Sequence, residues 1–145
     1  MKSIVALIFI SALTVPQWLT DFSVAQEEAK KQNKYILISF SGSDWCGPCI
    51  KMKKEVFESA LFDSLAQEKL ILVRADFPRS GKNKLPKDQV LKNEQLAEKY
   101  NPSGKFPYTV LTDQEGKVIR TWDGYAFGSQ ENFLGELTKT TSGQH

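Results

Sequence analysis

The apolar residues of this chain form short runs that alternate with longer segments of mixed character. Residues 35–40 (YILISF) and 70–76 (LILVRAD) are nearly continuous apolar runs rich in β-formers, which is typical of strands buried on both faces. Residues 108–122 hold two more such runs, separated by a turn signal at 113–116. That arrangement predicts a β-hairpin. The pattern therefore predicts about four strands, the last two antiparallel.

Between these runs, apolar residues recur at helical spacing behind residues that can cap a helix. One helix is predicted over residues 22–33, and another begins near Cys46 and continues, bent, through Phe57. Residues 77–92 are polar and punctuated by Pro and Gly, so they are predicted to be mostly loop. Asp21 is predicted to cap the first helix, and Ser59, Asn93 and Ser129 are predicted to cap three further helices.

The order of these elements is helix, strand, helix, strand, helix, hairpin, helix. A strand–helix–strand unit implies parallel strands joined by a right-handed crossover, and the hairpin adds antiparallel pairing. We therefore expect one α/β domain with a mixed central sheet of about four strands and helices on both faces. A chain of 145 residues is long enough for one such core and short for two.

The first sixteen residues differ in kind from the rest. Lys2 is followed by twelve uncharged, mostly apolar residues at 4–15, and Pro16 ends the run. This is the pattern of a secretory signal peptide, and twelve residues fall short of the roughly 20 that span a bilayer as a helix. We expect residues 1–16 to be a signal peptide and 17–145 to form the exported domain. An uncleaved anchor or a buried helix is the alternative.

Charge excludes one class of partner. The formal net charge is +2, and no face is predicted to carry a dense basic stripe with interleaved aromatics. Nucleic acid is therefore not expected as a partner.

Both cysteines of the chain lie in one short stretch, SDWCGPCIKMK, at Cys46 and Cys49. A bridge across so short a loop removes little entropy from the unfolded chain, so a purely structural role is weak. A zinc site needs about four ligands, and covalent haem attachment needs a histidine where Ile50 stands. The chain has only these two cysteines and one histidine, His145, so neither a zinc site nor haem attachment is favoured.

Redox chemistry fits the spacing better. A strand–loop–helix junction places Cys46 at a helix N-terminus, where unpaired N–H groups and the helix dipole favour an anion. The pKa of the Cys46 thiol should therefore fall, and the thiolate is the reactive form. Cys49 follows one turn later on the same side, where it can attack a mixed disulfide at Cys46. Pro48 is tolerated there because the first helical N–H groups lack partners.

The motif WCGPC after a buried strand, followed about sixty residues later by KFPYTVLTDQEGKVI, resembles the thioredoxin family. The resemblance covers about residues 18–139. Residues 54–76 are more similar to exported bacterial members than to the short cytosolic ones. The resemblance implies a thioredoxin fold, with three α/β/α layers. It also implies thiol-disulfide exchange by the Cys46–Cys49 pair without a further cofactor or metal.

The resemblance also implies roles around the cysteines. Pro107 corresponds to a cis proline that faces the pair, and Phe106 before it would offer its backbone to an extended substrate. Trp45, Gly47 and Pro48 would form the surrounding contact surface. For Trp45 the alternative is a core-packing role. Gly124 matches a glycine where backbone segments approach closely, and a plain turn glycine is its alternative.

Three positions depart from the family pattern. Many thioredoxins carry a buried acid where Ser39 stands here, and Asp44 is near but expected to be exposed in a loop. Proton transfer at Cys49 would then use water or another acid. Tyr108 replaces the common threonine after the proline. Residues 78–92 resemble an insertion with five basic residues against one acidic residue, which could meet an acidic partner or remain a solvated loop.

Together these features predict a monomeric, exported thiol-disulfide oxidoreductase of a bacterial periplasm. It would reduce or exchange disulfides of exported proteins and would need an electron donor, such as a membrane thiol-transfer protein. One alternative is a dedicated reductant for cytochrome maturation. Another is a non-catalytic protein that binds a metal or a partner. Copper carriers of this fold also need a histidine in the site, for which His145 is the candidate.

Overall fold

The computed structural model describes residues 15–126 and 129–143, so nearly all of the predicted signal peptide and His145 lie outside the described residues. A five-stranded mixed sheet forms the centre, in the order β1-β3-β2-β4-β5. Strands β1, β2 and β3 run parallel, while β4 is antiparallel to β2 and to β5. The strands are β1 (Trp18–Leu19), β2 (Tyr35–Ser41), β3 (Leu70–Asp76), β4 (Tyr108–Thr112) and β5 (Val118–Asp123).

Helices cover both faces of this sheet and complete three layers. They are α1 (Phe22–Gln32), α2 (Gly47–Met52), α3 (Ala60–Lys69), α4 (Lys87–Tyr100) and α5 (Gln130–Thr141). Helices α1 and α4 pack on one face, and α2, α3 and α5 pack on the other. Helix α2 continues into a π-helical segment, Lys53–Phe57, as the predicted bent helix required. The fold class predicted from the sequence is confirmed.

Alternation along the two central strands sorts their side chains between these layers. In β2, Ile36, Ile38 and Phe40 join the core under α1 and α4, while Leu37 joins the core under α2 and α3. Because successive side chains point to opposite faces, Ser39 lies on the same side as Leu37. The position of the missing acid therefore faces the helix that carries the cysteines.

Two of the predicted caps are confirmed by their hydrogen bonds. Asp21 Oδ1 accepts from the N–H groups of Ser23 at 2.9 Å and Val24 at 3.3 Å. Ser59 Oγ accepts from the N–H of Phe62 at 3.2 Å. Ser129 does precede α5, but its hydroxyl donates to the carbonyl of Ala126 at 2.6 Å instead of capping the helix.

The predicted loop over 77–92, with a helix start at Asn93, is wrong in its second half. Helix α4 begins at Lys87, directly after Pro86, whose carbonyl accepts from the N–H of Val90 at 3.0 Å. Asn93 lies inside the helix and is buried, and its Nδ2 donates to the carbonyl of Asp76 at 2.9 Å. A proline directly before an acidic first turn is itself a helix-start signal. Asn93 stabilises the junction of α4 with the sheet.

A fifth strand was not predicted. β1 contains only two residues, Trp18 and Leu19, paired with Leu72 and Val73 of β3. A two-residue strand is too short to show any periodicity, so only pairing along the edge of β3 defines it.

Candidate functional site

The loop between β2 and α2 is a tight turn that positions the cysteines. The N–H of Cys46 donates to the carbonyl of Gly42 at 2.9 Å, which closes the turn. Gly42 is buried, and a Cβ atom there would overlap the indole ring of Trp45. The glycine therefore allows Trp45 to fold back over the loop while Cys46 enters the helix.

Cys46 and Cys49 form a disulfide at the start of α2. Cys46 is the N-cap residue, and its sulfur accepts from the N–H of Cys49 at 3.3 Å. The two Cα atoms are 5.2 Å apart, within the range that disulfides span. Pro48 occupies the second helical position, where it removes no helical hydrogen bond. One N-terminal N–H of α2, that of Cys49, thus points at the Cys46 sulfur.

Both cysteines lie just below the surface. Cys46 keeps 5% of its surface exposed and Cys49 keeps 4%, whereas Gly47 and Pro48 between them are exposed. The exposed surface directly beside the disulfide is therefore formed by Gly47 and Pro48.

The peptide bond between Phe106 and Pro107 is cis, as the resemblance implied. Pro107 lines the same cavity as Cys49. Gly124 donates its N–H to the carbonyl of Pro107 at 2.9 Å. Its φ of +76° lies in the left-handed region, which favours glycine. Gly124 lies directly after β5, and its backbone meets that of Pro107, as the resemblance implied, although a Cβ atom there would find open space.

Three aromatic residues flank the cysteine loop. The ring of Phe106 makes edge contacts with those of Trp45 and Phe77, with centroids 5.4 Å apart in each pair. The indole Nε1 of Trp45 donates to the carbonyl of Phe77 at 2.7 Å. The guanidinium of Arg79 lies 3.7 Å from the centre of the Trp45 ring, a cation–π arrangement. Trp45 is therefore half-buried, fixed by the loop after β3 and not packed into the main core.

A cavity of about 160 Å³ with both polar and apolar walls lies behind Cys49. Ser39 is 3% exposed and lines it, as do Arg74 and Asp76 from the neighbouring strand. Strand register places Ser39 beside Arg74 and Ser41 beside Asp76. Burial lowers the pKa of Arg74, and the nearby carboxylates of Asp76 and Glu58 partly oppose that shift. The carboxylate missing from β2 is thus matched by one on β3 that borders the same cavity.

The two aspartates near the cysteine loop bind backbone groups. Asp76 accepts from the N–H of Ser43 at 2.9 Å and from its hydroxyl at 2.5 Å. Asp44 accepts from the N–H groups of Arg79 and Ser80, each at 2.9 Å. The hydrogen bond from Arg79 is the main reason that the pKa of Asp44 lies below its usual value. Asp44 was expected to be exposed. It is half-buried, and it joins two loops.

The structure joins Cys46 to Cys49, places Cys49 and Pro107 on one cavity, and packs Trp45 against Phe106. Sequence reasoning missed Phe77, Arg79, Arg74 and Asp76, all of which follow from the β3 strand and its loop. An arginine and an aspartate two positions apart within an otherwise apolar strand were the available signal, because charges in a buried strand need partners.

The described ranges contain neither a metal-binding cluster nor a membrane-spanning helix. No group of three or more His, Cys, Asp or Glu side chains there is placed to hold a metal ion. Helix α4, with 14 residues, is the longest in those ranges, and no described helix has the length and apolar character needed to cross a bilayer.

Comparisons with known proteins place the chain in a family. A sequence model of the thioredoxin-like domain matches residues 22–141. The disulfide bond reductase DsbH of Chlamydia pneumoniae is 41% identical over 103 residues, which are 71% of this chain and 60% of that protein. The thioredoxin-related protein DsbJ of the same organism is 31% identical over 119 residues, which are 81% of this chain and 32% of that protein. This chain thus spans less than two thirds of the length of either relative.

A solved structure gives the same result over a longer range. The fold is similar to that of a DsbH oxidoreductase, with a TM-score of 0.79 and 29% identity, covering 99% of this chain and 96% of that one. The family match, the sheet topology and the cysteine pair at the start of α2 agree with one another, and the chain belongs to the thioredoxin-like domain family.

Proposed function

We propose that this protein is a thiol-disulfide oxidoreductase that reduces or exchanges disulfides of exported proteins. The observation that carries the proposal is the Cys46–Cys49 disulfide at the start of α2, where Cys49 lines one cavity with the cis-bonded Pro107. The similarity to a disulfide bond reductase supports the same activity.

The chemistry transfers two electrons from the dithiol to a substrate disulfide. In the reduced protein the Cys46 thiolate attacks one substrate sulfur, forms a mixed disulfide and releases the other substrate sulfur as a thiolate. Cys49 then attacks the Cys46 sulfur, which re-forms the internal disulfide and releases the second substrate thiolate. A dithiol donor must reduce the pair again, and a membrane thiol-transfer protein is the class of donor we propose.

The Cys49 thiol must lose its proton before it attacks. The cavity behind it is large enough for several water molecules, each of which occupies about 30 Å³, and Asp76 also lines it. We assign Asp76 as the proton acceptor, reached through water. Asp76 on β3 would then take the role of the acid that many thioredoxins carry at the position of Ser39.

The surrounding residues would hold the substrate chain. Phe106 precedes Pro107 and offers backbone groups to an extended segment, while the exposed Gly47 and Pro48 allow its close approach. Trp45 would cover the far side of the sulfurs. These residues would position the substrate only. The redox step itself involves the sulfurs of Cys46, Cys49 and the substrate, together with the proton acceptor.

Export is the second part of the proposal. The apolar run over residues 4–15 behind Lys2 supports a signal peptide at 1–16 and a mature domain at 17–145, which would act in a bacterial periplasm.

An insulin reduction assay with dithiothreitol tests the activity. Wild type should accelerate precipitation of the insulin chains, and Cys46→Ser should abolish the acceleration. A wild-type protein that gives no acceleration would overturn the proposal. Equilibration of the 46–49 pair against a glutathione series then gives the potential, which separates a reductant from an oxidant.

A further inference from the structure

A second cavity lies beside the cysteine loop and shares Asp76, Phe77 and Arg79 with the site described above. It has a volume of about 220 Å³ and is bounded by the loop after β3 and the first turn of α4. Its apolar walls come from Phe77, Pro78, Leu85 and Val90. Its charged lining comes from two cations, Arg79 and Lys84, and one carboxylate, Asp76, which already accepts hydrogen bonds from Ser43. Small-molecule sites typically have roughly 300–1,000 Å³, so this cavity fits a side chain better than a free ligand.

This cavity is continuous with the cysteine site through shared residues. Phe77 lines the cavity and contacts the ring of Phe106. Arg79 also lines it and stacks on Trp45. A substrate chain lying across Trp45 and Phe106 would therefore reach the cavity with its next residues.

The rim of the cavity is positively charged. Residues 78–92 contain five basic residues and one acidic residue, Asp88. Lys92 pairs with Asp21 at 2.7 Å, whereas no carboxylate in the described ranges lies within ion-pair distance of Lys82, Lys84 or Lys87. These three lysines are exposed. An acidic segment would therefore be attracted to this face, and the attraction should weaken with salt.

We propose that this cavity is an accessory subsite for the polypeptide substrate. It would take one apolar side chain from an acidic segment near the substrate disulfide. The inference rests on the proposed thiol-disulfide activity and adds a substrate class to it, namely acidic proteins with an apolar residue beside the reacting cysteines.

The test uses three peptides that contain the same disulfide core and differ only in the tail sequence that flanks this core. The first tail combines Glu and Asp with one Phe, the second replaces the acids by Gln and Asn, and the third replaces the Phe by Ala. Wild type should reduce the first peptide with a KM about three- to tenfold lower than the others, the range expected for a few exposed ion pairs and one apolar contact.

Two variants and one control locate the effect. Lys82→Gln/Lys84→Gln should raise the KM of the acidic peptide toward that of the neutral one, and Val90→Trp should fill the cavity and remove the preference for Phe. Lys117→Gln/Lys139→Gln removes equal charge from other elements and should leave all three KM values unchanged. The kcat for each of the three peptides should stay the same in every variant, because the reacting core is shared, and this separates failure of the subsite from failure of the activity.

Binding without turnover gives a second measurement. In the Cys46→Ser/Cys49→Ser protein, calorimetry with a cysteine-free acidic Phe peptide should show binding that weakens with salt. Equal KM values for all three peptides in wild type would overturn the inference. So would equal binding of the Ala peptide, or dimerisation of the peptide-free protein through this face in sedimentation.

Discussion

The N–H of Gly124 donates a 2.9 Å hydrogen bond to the carbonyl of Pro107. This bond joins the end of β5 to the segment that we place opposite the cysteines. Gly124 can make it because its φ is +76°, a conformation that side chains with a Cβ adopt only at a cost. The position of Pro107 therefore depends on a glycine that is 17 residues away in sequence.

Replacement of Gly124 by alanine should lower both stability and activity. The left-handed conformation should cost about 1–2 kcal/mol of unfolding free energy, measured by urea denaturation. Insulin reduction should fall at the same time, because relaxation of φ away from +76° would displace the N–H that donates to Pro107. Gly135→Ala is the matched control: Gly135 lies inside α5 with open space around it, and alanine there should stabilise by about 0.5–1 kcal/mol. If Gly124→Ala were as stable as wild type, the conformational argument would be wrong.

Removal of the second cysteine should trap substrates. Cys49→Ala leaves Cys46 able to form a mixed disulfide but leaves no thiol to resolve it. Periplasmic extracts passed over this variant should yield bound proteins that dithiothreitol releases, whereas Cys46→Ala should yield none. Equal recovery from the two variants would contradict the assignment of Cys46 as the attacking thiol.

The Cys46 thiol of the reduced protein should have a pKa below that of a free thiol. The sulfur sits at the N-cap of α2 and accepts from the N–H of Cys49, and both features favour the thiolate. Ultraviolet titration of Cys49→Ser measures this pKa directly. A value at or above about 8.5 would show that the helix terminus does not stabilise the anion.

Loss of the Asp76 carboxylate should slow the attack by Cys49. Because a positioned base contributes about 10²-fold at the lower end, Asp76→Asn should slow release from a mixed disulfide by about tenfold to a hundredfold. Stopped-flow measurement of release across pH gives the rate. Ser43→Ala removes one donor to Asp76 but keeps the carboxylate, so it should change the rate far less. Equal rates for Asp76→Asn and wild type would exclude Asp76 as the acceptor.

Acid should weaken the ion pair between Asp21, which caps α1, and Lys92 of α4. The hydrogen bond from Lys92 is the main cause that lowers the pKa of Asp21 below 3.8. A folded-state pKa below the unfolded value gives stability at neutral pH that is lost as pH falls below about 4. Wild type should therefore lose more of its urea midpoint between about pH 5 and pH 3 than Asp21→Asn, which keeps a capping side chain.

A second variant identifies the partner. Lys92→Gln should reduce the same pH dependence, because it removes the cation from the 2.7 Å pair. Parallel acid profiles for wild type and both variants would show that the pair does not contribute.

Much of the fold could be predicted because it depends on local patterns. The boundaries of β3 agree with the predicted run at 70–76, and Asp21 and Ser59 cap helices as their positions indicated. Apolar runs and capping residues act within a few positions, so they are visible in the sequence. The start of α4 was missed because Lys-rich and Pro-containing segments indicate loop by composition, while here Pro86 directly precedes the helix.

The sequence by itself determined that the two cysteines lie three residues apart at the start of a helix. Through the family resemblance it also predicted a cis proline. Only the tertiary structure decided what surrounds them. Asp76 and Arg74 come from a strand beside β2, and the loop after β3 carries the residues that hold Trp45 and form the second cavity. These neighbours are about thirty residues from the cysteines in sequence, and parallel strand pairing, which no local pattern encodes, brings them together.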